Sequence, residues 1–569
     1  MWIVSRVRKV EISHFRSIET LNWEPYAGIN CIVGPGDSGK STLLDAIDLC
    51  LGARRNIQIN DGDFYRLNTE VPIRIAVTLG DLKDGFKQLD GYGLYLRGFT
   101  RTGEVLSEPR ADAEMVLTIQ LEVKSDLDPV WSLYSERAAA QQQARLLTWA
   151  DRLRLSCARL GSFGDYNFSW RKGSVLNRLS EERPDVSADL ATAARAARSS
   201  FGDRADSQLA ETLGIVRGAA SNLGVSVGKV TARLDAQSMS LSGGAVCLHG
   251  EDGVPLRNLG LGSTRILTTG LQRMAASGSS IVLVDELEYG LEPHRIIRLI
   301  SSLGAKDIPP PLQAFVTTHS PITVREIPAE QILVLRRKGT AHDLRRIGSD
   351  MQGTVRACPE ALLASSVIIC EGASEIGLIR GLDIYRSSSD VTAIPFSALG
   401  VALADGHGET TFSRALTFAK LGYRTLVFRD NDKHPKAGDV AEFLALNGTI
   451  LKWRDGHALE DELFSSLSED GVGRLIDQAL EENDPDLVEQ HIRTASNNQL
   501  DLQKCRATPL ESSTRKVLGQ AAKGKKNSWF KNISAMENVG RIVVGPDLSL
   551  SDSRFKKVIE ELLVWVSRA

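Results

Sequence analysis

A single glycine-rich loop constrains the fold of this chain more than any other part of its sequence. The apolar segment from Gly28 to Val33 is predicted to be a buried strand, and Lys40 to Leu51 has helical apolar spacing. Between them the chain reads Gly34-Pro35-Gly36-Asp37-Ser38-Gly39-Lys40-Ser41. This is the form G-x-x-x-x-G-K-[ST] between a strand and a helix, which predicts a phosphate-binding loop in an α/β fold.

The residue types in this loop suit a nucleoside triphosphate and a magnesium ion. Glycines let backbone N–H groups approach phosphate oxygens, and the following helix directs its positive end at the anion. We expect Lys40 to reach the β and γ phosphates, the Ser41 hydroxyl to bind Mg²⁺ and Thr42 to add a phosphate contact. A chance glycine turn would lack the strand and the helix on either side. ATP with Mg²⁺ is therefore the expected cofactor.

Two later strand ends are predicted to supply the other half of this site. Ile281 to Val284 are four apolar residues, followed by Asp285 and Glu286. We expect Asp285 to lie beside the metal and Glu286 to polarise the attacking water. His319 follows another apolar strand and could contact the γ-phosphate, although a lone histidine is more often a structural residue.

The composition indicates an ordinary multi-domain chain with a sizeable core. Of its 569 residues 42% are hydrophobic, and the net charge of −3 gives no overall positive field, although a local basic groove remains compatible with nucleic acid. The 7 cysteines include no C-x-x-C pair, so neither a zinc site nor a disulfide framework is indicated. There is no apolar signal segment and no apolar run that could span a bilayer. We therefore expect a cytoplasmic protein with no membrane partner.

A second α/β unit, which starts at Ser366, carries a separate group of acids. A buried strand from Val367 to Cys370 ends at Glu371, and a later strand ends in Asp430-Asn431-Asp432. An acid after one strand and a D-x-D after another predict clustered oxygen ligands for Mg²⁺ or Mn²⁺. Two such cations could activate water and stabilise the leaving oxygen of a phosphodiester. Either motif alone is more often a solvated loop, whereas the pair in one unit favours a metal site.

The motifs of the first half resemble the ABC-type ATPase heads of the SMC and RecF group. The resemblance rests on three segments, which are Ile12 to Ile18, Asp285 to Pro293 and Thr318 to Pro321. It implies that two heads sandwich two ATP molecules, with a signature loop of one head against the γ-phosphate bound by the other. The preferred match for this loop contains Gly260 and Gly262 and ends at Arg265, before a predicted helix. Leu241 to Gly244 fits the usual letters better but precedes a predicted strand.

The acids of the second unit resemble those of the Toprim domain, which topoisomerases, primases and some nucleases share. An ABC head followed directly by Toprim resembles the OLD (overcoming lysogenisation defect) family of ATP-dependent nucleases. The resemblance implies catalytic roles and metal ligation for Glu371, Asp430 and Asp432, further ligands at Glu375 and Glu460, with Asp461 beside it, and a catalytic lysine, with Lys526 preferred to Lys531. The alternative, which the residues support equally, is that the basic stretch around these lysines is a solvated surface or a surface that contacts the DNA backbone.

These patterns divide the chain into five expected parts. They are an ATPase N-terminal lobe at 1–135, a helical insertion at 136–235 that serves dimerisation, an ATPase C-terminal lobe at 236–360, a Toprim nuclease domain at 361–480 and a helical part at 481–569 that completes the nuclease site. Between 138 and 160 the composition predicts helix without strands.

The family resemblance implies an ATP-gated, metal-dependent DNA endonuclease of bacterial antiphage defence. It would act as a homodimer or higher homo-oligomer, alone or with a helicase or a retron component. The alternative is an SMC- or RecF-like DNA-repair ATPase whose Toprim unit binds without cutting. A topoisomerase would need a nucleophilic tyrosine in a DNA-binding domain and a primase usually has a zinc module, and neither pattern is recognisable.

Overall fold

The computed structural model describes residues 5–52, 57–82, 84–88, 92–160, 248–275, 281–509, 511–524 and 528–568, with 176, 192–193, 196, 200–201 and 208–215. The strands of these residues are β1 (Arg6–Phe15), β2 (Ile18–Trp23), β3 (Ile29–Val33), β4 (Ile73–Gly80), β5 (Leu96–Phe99), β6 (Val105–Leu106), β7 (Glu114–Val123), β8 (Pro129–Tyr134), β9 (Arg145–Leu146), β10 (Ala158–Leu160), β11 (Ile281–Val284), β12 (Gln313–Thr317), β13 (Ile332–Lys338), β14 (Ala341–Arg346), β15 (Ser366–Cys370), β16 (Val401–Asp405), β17 (Arg424–Arg429) and β18 (Thr449–Lys452).

The helices of the same residues follow in chain order. They are α1 (Lys40–Leu51), α2 (Glu136–Ala140), α3 (Trp149–Leu155), α4 (Leu261–Ala275), α5 (Pro293–Ser302), α6 (Pro321–Glu326), α7 (Gln352–Ala357), α8 (Ala373–Ser389), α9 (Thr411–Lys420), α10 (Ala437–Ala445), α11 (Leu459–Ser466), α12 (Glu469–Glu482), α13 (Pro485–Ala495), α14 (Leu502–Ala507), α15 (Ser512–Ala522), α16 (Ile533–Asn538), α17 (Gly545–Asp547) and α18 (Ser553–Ser567). A π-helical segment, Val539–Val544, joins α16 to α17. Among the described residues no helix is both long enough and apolar enough to cross a membrane.

The first sheet has a parallel centre and an antiparallel side. Its order is β10-β11-β12-β3-β13-β14-β2-β1-β4-β7-β5-β6, with β8 and β9 added beside β7. The neighbours from β10 to β13 along this order are parallel, and every residue of β3, β11 and β12 is buried. Strands that are covered on both faces need largely apolar sequences, which is why most residues of these segments are apolar. The carboxyl ends of these parallel strands meet at one edge of the sheet.

The second sheet is parallel throughout, in the order β16-β15-β17-β18. Residues of β15 alternate between two cores, as the pleat of a strand requires. Val367 and Ile369 lie in a core that continues into β12 and β13. Ile368 and Cys370 pack in a second core, with Phe555 and other apolar residues of the C-terminal helices. The predicted division between 480 and 481 therefore lies within one hydrophobic core.

The structure differs from the predicted helical run between 138 and 160. This stretch contains α2, β9, α3 and β10, and β10 pairs in parallel with β11 in the first sheet. A strand of three residues is too short to show an alternating pattern, so the composition favoured helix. The first part of the predicted insertion at 136–235 is therefore wrong, and nearly all of 161–235 lies outside the described residues.

Candidate nucleotide and metal sites

The phosphate loop follows β3 and ends at the first turn of α1. Gly34 has a φ of 151°, and a Cβ on it would lie 2.6 Å from the Leu335 carbonyl oxygen, so the loop packs against β13 only with glycine here. Gly39 has a φ of 93° at the N-cap of α1. Asp37 also has a positive φ, of 56°, which is uncommon for a residue with a side chain. Gly36 is exposed and a Cβ there would meet no atom within 4 Å.

The Lys40 side chain lies inside this loop. Its Nζ donates to the carbonyl oxygens of Gly34 at 3.0 Å and Pro35 at 2.7 Å. Lys40 is only 5% exposed, and this burial lowers the pKa of Lys40, whereas the carboxylates of Asp37 and Asp285 oppose the shift. A buried ammonium group within a backbone loop at a helix N-terminus fits a bound phosphate chain.

Asp285 lies opposite the start of α1. Its Oδ1 accepts hydrogen bonds from Ser41 Oγ at 3.2 Å and from Thr317 Oγ1 at 2.6 Å, and its Oδ2 lies 3.4 Å from a guanidinium nitrogen of Arg159. The parallel strands β3, β12 and β11 bring Ser41 and Asp285 to the same edge although 244 positions separate them. A hydroxyl beside a carboxylate is an oxygen pair that suits Mg²⁺. Thr42 lies beside them, with its Oγ1 3.4 Å from Ser17 Oγ.

Glu286 and His319 are both exposed to solvent. Glu286 is exposed and has a φ of 46°, a strained conformation that is enriched at functional sites. Its N–H donates to Thr317 Oγ1 at 2.8 Å. The His319 N–H donates to Glu288 Oε1 at 2.6 Å while its side chain is exposed. The backbone of both residues is therefore fixed and their side chains are accessible.

The predicted signature loop packs against the turn that carries Asp285 and Glu286. Gly260 is exposed and α4 starts at Leu261, so this segment does open a helix, but the helix already contains Gly262 and Arg265, whereas the sequence predicted that it begins after Arg265. A Cβ on Gly262 would lie 2.6 Å from the Gly290 carbonyl oxygen, so the approach requires a residue without a side chain. The other candidate, 241–244, lies outside the described residues.

Arg265 holds this turn in place. It is 8% exposed and donates to the carbonyl oxygens of Asp285 at 2.7 Å and Tyr289 at 2.9 Å. Sequence reasoning included Arg265 only as the last residue of the candidate loop and gave no role to Arg159. Both act through contacts that are distant in sequence, and no local pattern marks them.

Three carboxylates converge at the carboxyl edge of the second sheet. β15 and β17 are parallel neighbours with Cys370 opposite Phe428, so the residues after them share one edge. One carboxylate oxygen from each of Glu371, Asp430 and Asp432 lies within 4.8 Å of the other two. The Asp430 N–H also donates to Glu371 Oε2 at 3.2 Å. The structure thus brings together the three acids that the sequence singled out from two distant segments.

Two further acids named from the sequence lie buried beside these three. Glu375 is 4% exposed and Glu460 is 7% exposed. Burial, with the charges of neighbouring carboxylates, raises the pKa of Glu375 to about 7 and the pKa of Asp430 to about 9. Burial also raises the pKa of Glu460. Carboxylates this close to one another are difficult to ionise together unless a cation lies among them.

The donor set fits a divalent cation. Oδ1 of Asp430 is buried and has no hydrogen-bond partner among the described residues, which is unfavourable for a carboxylate oxygen unless a cation binds it. Carboxylate oxygens are the ligands that Mg²⁺ and Mn²⁺ prefer. Glu375 is less available, because its Oε2 accepts from the Gly372 N–H at 2.8 Å. Glu371, Asp430 and Asp432 are therefore the residues that would hold an ion directly.

The catalytic lysine named from the sequence, Lys526, lies outside the described residues. Lys523 and Lys531 on either side of it are described, and the Lys531 side chain is exposed. Both positive charges oppose the raised pKa of Glu460, so both lie near the buried acids.

Asp461 has partners that leave it little freedom to bind a metal. Its carboxylate forms an ion pair with Lys523. It also accepts from the Ala458 N–H at 3.1 Å, which caps α11. The structure therefore uses Asp461 in the helix terminus and assigns the buried position beside the three acids to Glu460.

Asn431 fixes the loop that carries the D-x-D acids. Its N–H donates to the His457 carbonyl oxygen at 3.0 Å, and its carbonyl oxygen accepts from the Gly456 N–H at 2.9 Å. Its side-chain amide donates to the Trp453 carbonyl oxygen at 3.3 Å. Asn431 is only 5% exposed, so it positions the acids on either side of it. Sequence reasoning missed this role, although a polar residue between two acids was the available signal.

The first half of the chain combines a phosphate loop, a neighbouring strand that ends in an acid, and a helix whose arginine holds the acidic turn. This combination defines a nucleotide-binding P-loop ATPase domain. Residues 29–325 match the family described as AAA domain, putative AbiEii toxin, Type IV TA system. Because this match covers more than half of the 569 residues, the chain belongs to that family.

Individual relatives are more distant. Over 106 residues the chain is 30% identical to the DNA replication and repair protein RecF of Chlorobium phaeovibrioides, which is 17% of this chain and 29% of that protein. The chain thus spans less than a third of this relative's length. The Smc head domain of Pyrococcus furiosus and the SMC head domain of Thermotoga maritima are each 14% identical, with TM-scores of 0.31 and 0.29, over 62% and 60% of this chain and 98% and 99% of theirs. A likeness at these scores is too slight to bear on function.

Proposed function

We propose that this chain is an ATP-gated, divalent-metal-dependent DNA endonuclease. The observation that carries the proposal is the convergence of Glu371, Asp430 and Asp432, in which one buried Asp430 oxygen has no partner among the described residues. Acids in this order along two parallel strands resemble a Toprim domain. An ATPase domain followed by such a unit resembles the OLD family, which supports a role in bacterial antiphage defence.

Bound Mg²⁺ or Mn²⁺ would activate water and stabilise the leaving oxygen of the phosphodiester. The residues of the chain hold and orient these reactants. Glu371 and the Asp430–Asp432 pair present oxygens from two strand ends, and Asn431 fixes the angle at which the pair is presented. The buried acids behind them add negative charge that favours a divalent over a monovalent cation. A lysine of the C-terminal basic stretch, Lys526 or Lys531, stabilises negative charge at the cleaved phosphate.

The ATPase domain controls this activity in the proposal. Lys40 and Ser41 bind the phosphates and the metal of ATP, and Glu286 orients the water that attacks the γ-phosphate. Gly262 and its neighbours would contact ATP bound by a second copy of the chain, so a homodimer or a higher homo-oligomer is the proposed state. ATP binding holds the dimer in one arrangement, and hydrolysis or loss of nucleotide releases the nuclease. DNA is the proposed substrate, and a helicase or a retron component is a candidate partner.

Cutting of supercoiled plasmid by the purified chain tests this function. We expect cutting with Mg²⁺ or Mn²⁺ and none with EDTA. The double variant Asp430→Ala, Asp432→Ala should lose at least about 100-fold in rate, since it removes two of three ligands. Glu409→Gln changes an exposed acid that is not one of the three ligands and serves as the matched control. Equal cutting by the double variant and the wild type would refute the proposal.

The second candidate is a DNA-repair ATPase of the RecF or SMC type whose second unit only binds DNA. The 30% identity to RecF over 106 residues favours it. The two functions differ in what the acids do. If the double variant keeps full protection of cells against DNA damage or phage while ATP hydrolysis remains necessary, the acids are not catalytic and this second function is correct.

A further inference from the structure

A cavity of about 720 Å³ opens beside the three acids. Its walls come from α9, α10, β18 and the loop after the D-x-D acids, and include Phe412, Arg429, His434, Ala441, Leu444 and Ile450. The cavity is largely apolar, with a few polar groups at its edge. Ligand cavities in proteins commonly have volumes of about 300–1,000 Å³ and this kind of lining.

Arg429 belongs both to this cavity and to the acid site. Its side chain is 7% exposed, and its Nε lies 3.5 Å from Glu371 Oε2. The Arg429 guanidinium carbon lies 5.9 Å from the centroid of the Phe412 ring, and Arg429 also donates to the Lys433 carbonyl oxygen. Through its ion pair with Glu371, Arg429 therefore connects the wall of the cavity to a proposed metal ligand.

The loop after β17 gives a second connection between the cavity and the acids. Asn431 and His434 line the cavity, and Asp432 lies between them in the chain. His434 and Lys452 are exposed at the rim and add polar, positively chargeable groups there. A strand whose phosphate reaches the acids thus passes close to an apolar cavity with a basic rim.

We propose that this cavity binds an unpaired nucleobase of the nucleic-acid strand whose phosphate lies at Glu371, Asp430 and Asp432. A base has two apolar faces and a polar edge, and it packs well between aromatic or aliphatic side chains with a guanidinium group nearby. A base in a duplex is stacked and paired, so it must leave the helix to enter. The inference rests on the proposed nuclease function and adds to it a preference for single-stranded or distorted DNA.

A bulky residue in the cavity wall tests this binding. Ala441 lies on α10, is exposed and lines the cavity, so Ala441→Trp fills it without disturbing the core. Ala445→Trp adds the same side chain to the same helix at an exposed position outside the cavity wall and is the matched control. We expect Ala441→Trp to weaken binding of a fluorescent 12-nucleotide single strand in Ca²⁺ by about fivefold to a hundredfold, which is the range for loss of one stacked base. ATP hydrolysis by both variants reports that they are folded.

An abasic scan of the same oligonucleotide sharpens the test. One abasic position should weaken binding to the wild type and to Ala445→Trp by at least about fivefold, and it should have no effect on binding to Ala441→Trp. Equal affinity for single strands and perfect duplexes, or equal abasic profiles for all three proteins, would overturn the inference. If the scan behaves as expected but no protein cuts DNA in Mg²⁺ or Mn²⁺, the cavity stands and the nuclease function fails. If the protein cuts DNA but Ala441→Trp does not weaken binding of the single strand, the nuclease function stands and the proposed base-binding cavity fails.

Discussion

The guanidinium carbon of Arg336, on β13 of the first sheet, lies 3.7 Å from the centroid of the ring of Tyr423, which directly precedes β17 of the second sheet. Arg336 also donates to the carbonyl oxygens of Ser365 at 3.0 Å and Ala364 at 3.1 Å. Ser365 directly precedes β15, which ends one residue before Glu371. On the other side, the neighbour of Arg336, Leu335, contacts the phosphate loop. This pair therefore joins the nucleotide site to the strands that carry the acids.

Replacing Arg336 should uncouple the two sites. In Arg336→Ala two carbonyl groups lose their donor and the cation–π contact with Tyr423 disappears, so we expect stability to fall by about 2–4 kcal/mol. More informatively, the ratio of plasmid cutting with and without ATP should approach one, while ATP hydrolysis changes less than threefold. Arg337→Ala, on the same strand but with an exposed side chain that bonds Gly339 locally, is the control. A ratio that stays at the wild-type value in Arg336→Ala would show that coupling takes another route.

Glu286→Gln should separate ATP binding from ATP hydrolysis. In the proposed function the exposed Glu286 carboxylate orients the attacking water, and an amide of the same size cannot act as a base. We expect hydrolysis to fall by about 100-fold or more, with nucleotide affinity within threefold of the wild type because Lys40 and Ser41 are unchanged. Glu292→Gln, an exposed acid on the same connection, controls for charge. Parallel loss of binding and hydrolysis would mean that Glu286 has a structural role at its strained φ.

The parts of the molecule that sequence alone could predict are those with local rules. The phosphate loop is specified by adjacent residues, and α1 follows from apolar spacing. The Glu371 and Asp430 acids were predictable because both end buried parallel strands, whose carboxyl ends must meet. None of these inferences needed knowledge of distant contacts.

The remainder depends on contacts that sequence spacing does not encode. Strand β10 has three residues and forms only because β11 lies beside it, so its segment was predicted as helix. Arg265 and Arg159 orient the acidic turn through groups 20 and 126 positions away. Asn431 is fixed by a loop that follows a different strand. In each case the partner that stabilises the conformation is remote in the chain.

In the absence of metal, the free energy of unfolding should fall as the pH rises. Burial and neighbouring carboxylates raise the pKa of Asp430 from 3.8 to about 9, so the folded chain keeps a proton that the unfolded chain releases. Folding stability in EDTA therefore falls from about pH 4 to about pH 9. Between pH 6 and pH 8 we expect the wild type to lose on the order of 3 kcal/mol, which lowers the Tm of a chain of this length by about 2–3 °C.

Asp430→Asn is the control for this pH effect, because it removes the titratable carboxyl group and keeps the shape. Its Tm in EDTA should vary less with pH than that of the wild type and should be higher at pH 8. Mg²⁺ at pH 8 should raise the Tm of the wild type and leave that of Asp430→Asn nearly unchanged. Thermal unfolding followed by circular dichroism measures the Tm of both proteins in EDTA across this pH range and in Mg²⁺ at pH 8. Identical pH profiles for the two proteins would contradict the assignment of the raised pKa to Asp430.

Lys531 and Lys523 should differ in what they contribute, although both lie near Glu460. Lys523 is committed to its ion pair with Asp461, so Lys523→Ala should lower stability and change cutting only slightly. The exposed Lys531 is available to a phosphate, so Lys531→Ala should reduce plasmid cutting by about 100-fold with unchanged Tm and ATP hydrolysis. Lys526→Ala completes the series, because a loss confined to this variant would move the catalytic role to Lys526. Single-turnover cutting at saturating DNA distinguishes these outcomes, since a lysine that only binds the DNA backbone would alter affinity and leave the saturated rate intact.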